Sequence, residues 1–245
     1  MKGNNLLITI VVGLVGLVAG FLLANTINRT ELTTLRAENE TLKTAQESGA
    51  SRGVDANLSD DEISATIAQA DRKPEDFQTQ RNVGVAIYRY GAMQEDPQVI
   101  RRSIVVLDRA AALRPDDYDV MLSLANANFD VGYFEKNNDS LAKARDFYDR
   151  ALKARPNDAN VQADLALTYF LHTPQDLDNS VAEFKKALQI DPRHEKTLQF
   201  LVQALAQQNR KDEAATHLAQ LRAVNPANET IAKLESMING QQTGG

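Results

Sequence analysis

Small and large apolar side chains recur at one fixed spacing in four segments of the chain, and each segment ends in proline. The segments are SIVVLDRAAALRP (103–115), ARDFYDRALKARP (144–156), SVAEFKKALQIDP (180–192) and AATHLAQLRAVNP (214–226). Their marked residues follow at intervals of 4, 3 and 5, as in Ser180, Phe184, Ala187 and Pro192. Spacings of 3 and 4 place side chains on one helix face, and proline cannot continue a helix. The pattern therefore predicts four amphipathic helices that each end before a proline.

A second recurring block of ten residues precedes each of these helices. The blocks are NVGVAIYRYG (82–91), SLANANFDVG (123–132), DLALTYFLHT (164–173) and FLVQALAQQN (200–209). Each contains a large apolar residue followed by a small or branched one, as in Leu165-Ala166. Three blocks close with Gly91, Gly132 or Asn209, residue types that are typical of helix C-termini. We therefore predict a repeating unit of two antiparallel helices joined by a turn.

The repeats differ in length between their paired helices. Successive prolines are 41, 36 and 34 residues apart. The longer repeats carry the extra stretches AMQEDPQVIRR (92–102) and YFEKNNDSLAK (133–143), which we expect on the turn side of a helical solenoid. The predicted repeats lie at about 77–116, 117–158, 159–194 and 195–228 within an all-α solenoid over 59–239.

One predicted helix flanks the repeats at each end. The lead-in LSDDEISATIAQADRKP has a capping box, Ser59 with Glu62, and predicts a half-repeat over 59–74 that seals the first end. At the other end, Ile231, Leu234 and Ile238 share one face of a predicted cap helix over 229–239. A solenoid needs such an amphipathic cap to cover its open end. Residues 240–245 are predicted to be a disordered tail.

The N-terminus has the pattern of a membrane anchor. After a short tail (1–5), residues 6–24 read LLITIVVGLVGLVAGFLLA, 19 residues without a charge. As a helix this segment is about 28 Å long, close to the thickness of one hydrocarbon core. A cleaved signal peptide is the alternative. We expect a single-pass protein of the bacterial inner membrane with its repeat domain in the periplasm.

A helical stalk is predicted after the anchor, over 25–43. Leu32, Leu35, Asn39 and Leu42 fit two heptads of a coiled coil, with Asn39 at an a position. A short dimeric coiled coil and a solvated single helix both agree with so short a pattern, so a homodimer through stalk or anchor stays open. Residues 44–58 are small and polar and predict a flexible linker.

Composition excludes several classes of function. The net charge of −6 argues against a nucleic-acid binder, which needs basic surfaces to meet phosphates. Without cysteine there is no disulfide or thiol chemistry. His172, His194 and His217 do not pair at metal-ligand spacing, and the acidic clusters lie at helix starts, where the helix dipole explains them. We expect neither catalytic residues, a metal nor a cofactor, and therefore no enzyme.

The repeated residues resemble the tetratricopeptide repeat over about 77–228. The third repeat, LALTYF…SVAEFKKALQIDP, matches that family's pattern best, although the family's tryptophan is missing throughout. The resemblance implies a general protein-binding scaffold whose first helices line a concave groove. The implied groove residues are Arg81, Tyr88, Arg89, Asn126, Phe129, Leu167, Phe170, Gln199 and Gln203, with Val85, Leu122, Asp130, Ala163, Leu171 and Gln207 beside them.

Three of these residues hold equivalent positions in successive repeats. Tyr88, Phe129 and Phe170 are either an aromatic ladder for a bound peptide or helix, or packing aromatics between repeats. Both interpretations stay open from the sequence alone.

The expected function is that of a membrane-anchored scaffold or adaptor that binds protein or peptide partners and assists assembly of an envelope complex. A weaker resemblance links the anchor, the repeat domain and LSDDEI to the repeat subunit of bacterial cytochrome c maturation, which presents apocytochrome. That subunit usually has two membrane helices, whereas one is predicted here. A self-associating structural protein is a further alternative.

Overall fold

The computed structural model describes residues 58–240, which form ten helices and no strand. They are α1 (Asp60–Asp71), α2 (Phe77–Met93), α3 (Pro97–Leu113), α4 (Tyr118–Glu135), α5 (Asn138–Ala154), α6 (Ala159–Phe170), α7 (Leu177–Ile190), α8 (Glu195–Gln207), α9 (Lys211–Val224) and α10 (Ile231–Asn239). The predicted all-α class is confirmed. No helix among these ten is both long and apolar enough to cross a bilayer. The predicted anchor, stalk and linker up to residue 57, and the tail beyond Gly240, lie outside the described residues.

The chain divides into two units, residues 1–74 and 75–245. In the first unit, α1 begins at the predicted capping box. The Ser59 hydroxyl accepts the Glu62 backbone N–H, and the Ser59 N–H donates to the Glu62 carboxylate at 2.9 Å. Three acidic residues in its first turn complement the helix dipole.

The second unit is an array of four helical hairpins and a final helix. The hairpins are α2–α3, α4–α5, α6–α7 and α8–α9, and α10 packs against α8 and α9. First helices also contact one another, α2 with α4 and α6 with α8, whereas no two second helices among the described residues pack as extensively. First helices therefore pack against one another along one side of the array.

The fixed spacing along the chain marks the core of each second helix. All marked residues are at most 3% exposed: Ser103, Leu107, Ala110, Ala144, Tyr148, Ala151, Ser180, Phe184, Ala187, Ala214, Leu218 and Leu221. α3, α5, α7 and α9 end at Leu113, Ala154, Ile190 and Val224, two residues before each proline. The predicted helix face and the predicted helix ends are both confirmed.

The extra residues of the first two repeats lengthen helices rather than turns. α2 and α3 have 17 residues each, whereas α6 and α7 have 12 and 14. The turn between α2 and α3 spans only residues 94–96, and its Glu95 has a φ of 52°. At 1.5 Å per residue, five more residues extend α2 by about 7 Å relative to α6. The first two hairpins are therefore longer on their turn side.

The prediction that Gly91 and Gly132 close helices is wrong. Both lie inside α2 and α4, and the left-handed residues at these turns are Glu95 and Lys136. The glycines instead allow close packing, since a Cβ at Gly132 would lie 2.7 Å from Leu141 Cγ. Asn209 does follow the end of α8 in the left-handed region, with a φ of 58°, as predicted.

Candidate groove on the first helices

The predicted groove residues lie on α2, α4, α6 and α8, which form the first-helix side of the array. We call this surface the groove face. Its half-buried members among the predicted residues are Arg81, Tyr88, Arg89, Asn126, Phe129, Gln199 and Gln203. Leu167 and Phe170 are instead 4% and 7% exposed. The predicted set therefore divides into side chains that reach solvent and side chains that are nearly covered by the fold.

The aromatic residues of the groove face pack between repeats. The ring of Phe170 makes an edge contact with Phe200 of α8 at 5.7 Å and belongs to the core shared by the last two hairpins. Phe129 makes an edge contact with Tyr148 at 6.5 Å and packs against the hydrophobic clusters on both sides of it. The structure thus gives both rings a packing role. Their contact with a partner, like that of Leu167, stays a prediction.

Tyr88 differs from the other two aromatics because its hydroxyl forms a polar contact. It donates to Asp130 Oδ2 of α4 at 2.9 Å. Burial raises the pKa of Asp130 to about 6, and the charge of Asp164 adds to that increase, while the Tyr88 hydroxyl and Lys196 oppose it. Burial, together with Asp130, holds the pKa of Tyr88 well above its ordinary value. The contact places a poorly solvated carboxylate on the groove face.

Other polar contacts join successive first helices. Arg81 of α2 pairs with Asp119 of α4 at 2.5 Å, and Lys196 of α8 pairs with Asp164 of α6 at 2.7 Å. The predicted groove residue Arg81 is therefore already engaged within the fold. The sequence analysis missed Asp119 and Lys196, because their partners are 38 and 32 residues away along the chain. In the sequence, these pairs could have been predicted only from opposite charges at nearby positions of adjacent repeats.

The amide side chains keep hydrogen-bonding capacity for a partner. Asn126 Oδ1 accepts the hydroxyl of the buried Tyr148 at 2.8 Å, which orients the Asn126 NH₂ group away from that hydroxyl. Gln199 and Gln203 of α8 are half-buried. Arg89 is half-buried as well, and burial lowers the pKa of its guanidinium. The three amide side chains supply donors and acceptors along the groove face.

The three histidines make contacts within the fold. His194 caps α8, with its Nδ1 accepting the Thr197 N–H, and its Nε2 lies 3.0 Å from Asn160 Oδ1. Burial lowers the pKa of His194. His172 lies 2.9 Å from the Pro174 carbonyl, and His217 lies 2.8 Å from Gln220 Oε1. Within residues 58–240, no three histidine or acidic side chains are placed to hold a metal ion.

Comparison with known proteins agrees with this architecture. The tetratricopeptide repeat family model matches residues 171–238. No curated protein matches the chain. Among solved structures, MamA (residues 41 to the end) of Desulfovibrio magneticus RS-1 aligns with a TM-score of 0.52 and 19% identity, over 69% of this chain and 86% of that chain. A thermophilic TPR protein of Thermus thermophilus, TTC0263, aligns with a TM-score of 0.51 and 16% identity, over 73% of this chain and 89% of that chain.

At these identities the structural likeness shows the fold alone. The family match is a sequence match and covers α7 to α10. The helical hairpins that precede it repeat the same core spacing of small, large and small residues. Residues 171–238 therefore match the tetratricopeptide repeat, and the hairpins before them share its two-helix fold.

Proposed function

We propose that the protein is a membrane-anchored scaffold that binds a protein or peptide partner along its groove face and assists assembly of an envelope complex. The observation that carries the proposal is the row of half-buried amide and apolar side chains on the first helices. Asn126, Gln199 and Gln203 provide hydrogen-bonding groups, and Phe129 provides apolar surface beside them. This combination suits an extended peptide or an amphipathic helix, whose backbone and side chains need both kinds of contact. The role is one of binding and not of catalysis.

The membrane part of the proposal rests on the sequence before residue 58. The uncharged stretch at 6–24 supports an anchor in the bacterial inner membrane, with the repeats in the periplasm. Tethering raises the effective concentration of the groove near the bilayer, and the polar stretch at 44–58 gives it reach. Partners that are themselves membrane-bound or newly exported gain most from this arrangement.

Photo-crosslinking in cells tests the groove directly. A photoreactive amino acid replaces Gln203, which is half-buried on the groove face of α8. The matched control replaces Gln189, an exposed glutamine on the second helix α7. We expect a specific envelope protein to be captured from position 203 and not from position 189. Equal capture patterns from both positions would contradict binding at the groove face.

The identity of the captured protein separates the alternatives. An apocytochrome or a haem-ligation component would favour the cytochrome c maturation role. A second copy of the same chain, together with a dimer in detergent solution, would favour the self-associating structural protein. A distinct assembly partner would support the adaptor role. Capture of a cytoplasmic protein would instead contradict the periplasmic placement of the repeats.

A further inference from the structure

Asp130 is a groove-face carboxylate to which the fold gives a hydroxyl donor but no salt bridge. It lies near the C-terminal end of α4, where its Oδ2 accepts the Tyr88 hydroxyl at 2.9 Å. No lysine or arginine among residues 58–240 forms an ion pair with it. The charge of Lys196 lowers the pKa of Asp130, but Lys196 itself is paired with Asp164 at 2.7 Å. The negative charge of Asp130 is therefore not neutralised locally.

Two other carboxylates of the first helices, Asp119 and Asp164, already form ion pairs within the fold. Arg81 is paired with Asp119, and Asp164 with Lys196, in both cases across neighbouring first helices. The charged and titratable groups that act on Asp130 are Tyr88 from α2, Asp164 from α6 and Lys196 from α8. Among them, Lys196 is the sole cation, and it is already engaged. Asp130 is therefore the groove-face carboxylate that is best placed to pair with a cation from a bound partner.

The surroundings of Asp130 favour such a cation further. Burial raises the pKa of its carboxyl to about 6, so at neutral pH it is charged but poorly hydrated. Charges interact more strongly where water is partly excluded. Phe129 precedes Asp130 in the chain, and Leu171 holds the position of Asp130 in the next repeat. Both are half-buried apolar side chains. They are suited to the aliphatic stem of a lysine or arginine whose head group reaches the carboxylate.

We propose that the groove face takes a peptide segment carrying a lysine or arginine side chain that pairs with Asp130. This inference rests on the proposed groove function and specifies the chemistry of the partner. The formal net charge of −6 agrees with it, because a negatively charged protein attracts basic partners at long range. An acidic or a purely apolar segment would leave the Asp130 carboxylate charged and further desolvated.

A displayed library of random dodecapeptides, panned against the full-length protein in detergent, tests this chemistry. The same selection is run with Asp130→Asn, which keeps an oxygen for the Tyr88 hydroxyl, and with Asp139→Asn, an exposed carboxylate at the start of α5. Circular dichroism establishes that each variant is folded. Binding at the groove face is identified by its loss in Gln203→Trp and its retention in Gln189→Trp. We expect lysine or arginine at one register of the groove-binding peptides selected by the wild type and by Asp139→Asn, and no such preference with Asp130→Asn.

A second measurement uses the wild-type protein alone and does not depend on how the variants fold. A selected peptide is labelled with fluorescein, and its basic residue is replaced by norleucine, which keeps the stem and removes the charge. We expect the replacement to weaken binding at least tenfold in fluorescence anisotropy. Groove-binding peptides without a basic preference, or an unchanged affinity after the replacement, would overturn the inference and leave the proposed function standing. The absence of any groove-binding peptide would contradict both.

Discussion

The carboxyl group of Asp130 links the stability of the fold to pH. Its pKa is raised from 3.8 to about 6, mainly because burial disfavours the charged form. The folded protein therefore binds a proton more tightly than the unfolded chain at this group. As the pH rises from about 4 to 6, the unfolded chain gives up the proton first, so this group lowers the free energy of unfolding across that window. Well above pH 6 the loss is complete and constant.

Substituting Asp130 with asparagine is expected to stabilise the protein at neutral pH. The amide oxygen still accepts the Tyr88 hydroxyl, whereas the cost of a buried charge disappears. We expect a gain in the free energy of unfolding on the order of 2 kcal/mol at pH 7.5. The gain shrinks at pH 4.5, where the folded wild type is mostly protonated at this site. Urea unfolding at both pH values measures it, with Asp139→Asn as the control. A loss of stability at pH 7.5 would mean that the carboxylate charge is needed by the fold.

At the scale of the helix, missing side chains decide how closely two elements approach. Gly84 of α2 faces Leu107 of α3, and an added Cβ would lie 2.7 Å from the Leu107 Cγ and 3.2 Å from its backbone nitrogen. Leu107 is fully buried, so any shift of its side chain disturbs its neighbours in the core. The equivalent positions of the second and third repeats are Ala125 and Ala166, so this close approach belongs to the first hairpin.

Substituting Gly84 with alanine is expected to destabilise the first hairpin, although alanine is ordinarily the better helix former. The propensity gain of about 1 kcal/mol is outweighed by overpacking, and we expect a net loss of about 1–3 kcal/mol. Urea unfolding of Gly84→Ala measures this loss. In combination with Leu107→Ala, the total should fall short of the sum of the two single losses, because the clash is removed with the leucine. Strict additivity would show that the two positions do not constrain each other.

At the scale of the whole molecule, the array of hairpins could be predicted from the sequence, whereas the chemistry of its groove face could not. The core positions of the second helices follow the period of a single helix. The burial of residues such as Phe184 and Ala187 can therefore be predicted from one segment of the sequence. Contacts such as Arg81 with Asp119 join residues in different repeats, and the sequence does not state how repeats are stacked. The same stacking decides that Phe170 is covered while Asn126 remains half-buried.

The structural role of a glycine is also difficult to predict from the sequence. Gly91 and Gly132 have the residue type of a helix end, and they serve as sites of close packing inside longer helices instead. A local propensity and a tertiary contact both select glycine at such a position, and only the positions of Ile100 and Leu141 distinguish them. The inserted stretches at 92–102 and 133–143 were therefore expected to lie between the paired helices. In the structure most of their residues belong to the helices and lengthen them.

The final helix should stabilise its neighbours more than the distant hairpins. Leu234 of α10 is fully buried in the core that also contains Leu205 of α8 and Leu218 of α9. Because repeats contact mainly their neighbours, the energy of such a cap is felt locally. We expect Leu234→Ala to cost about 2–5 kcal/mol and to speed amide hydrogen exchange in α8, α9 and α10, while α2 to α5 keep their protection. Ile231→Ala, at a half-buried position of the same helix, should give a smaller change. An equal rise in hydrogen exchange in all hairpins would mean that the array unfolds as one cooperative unit. In that case a partner bound near Asp130 would stabilise α10 as strongly as it stabilises the helices of the groove face.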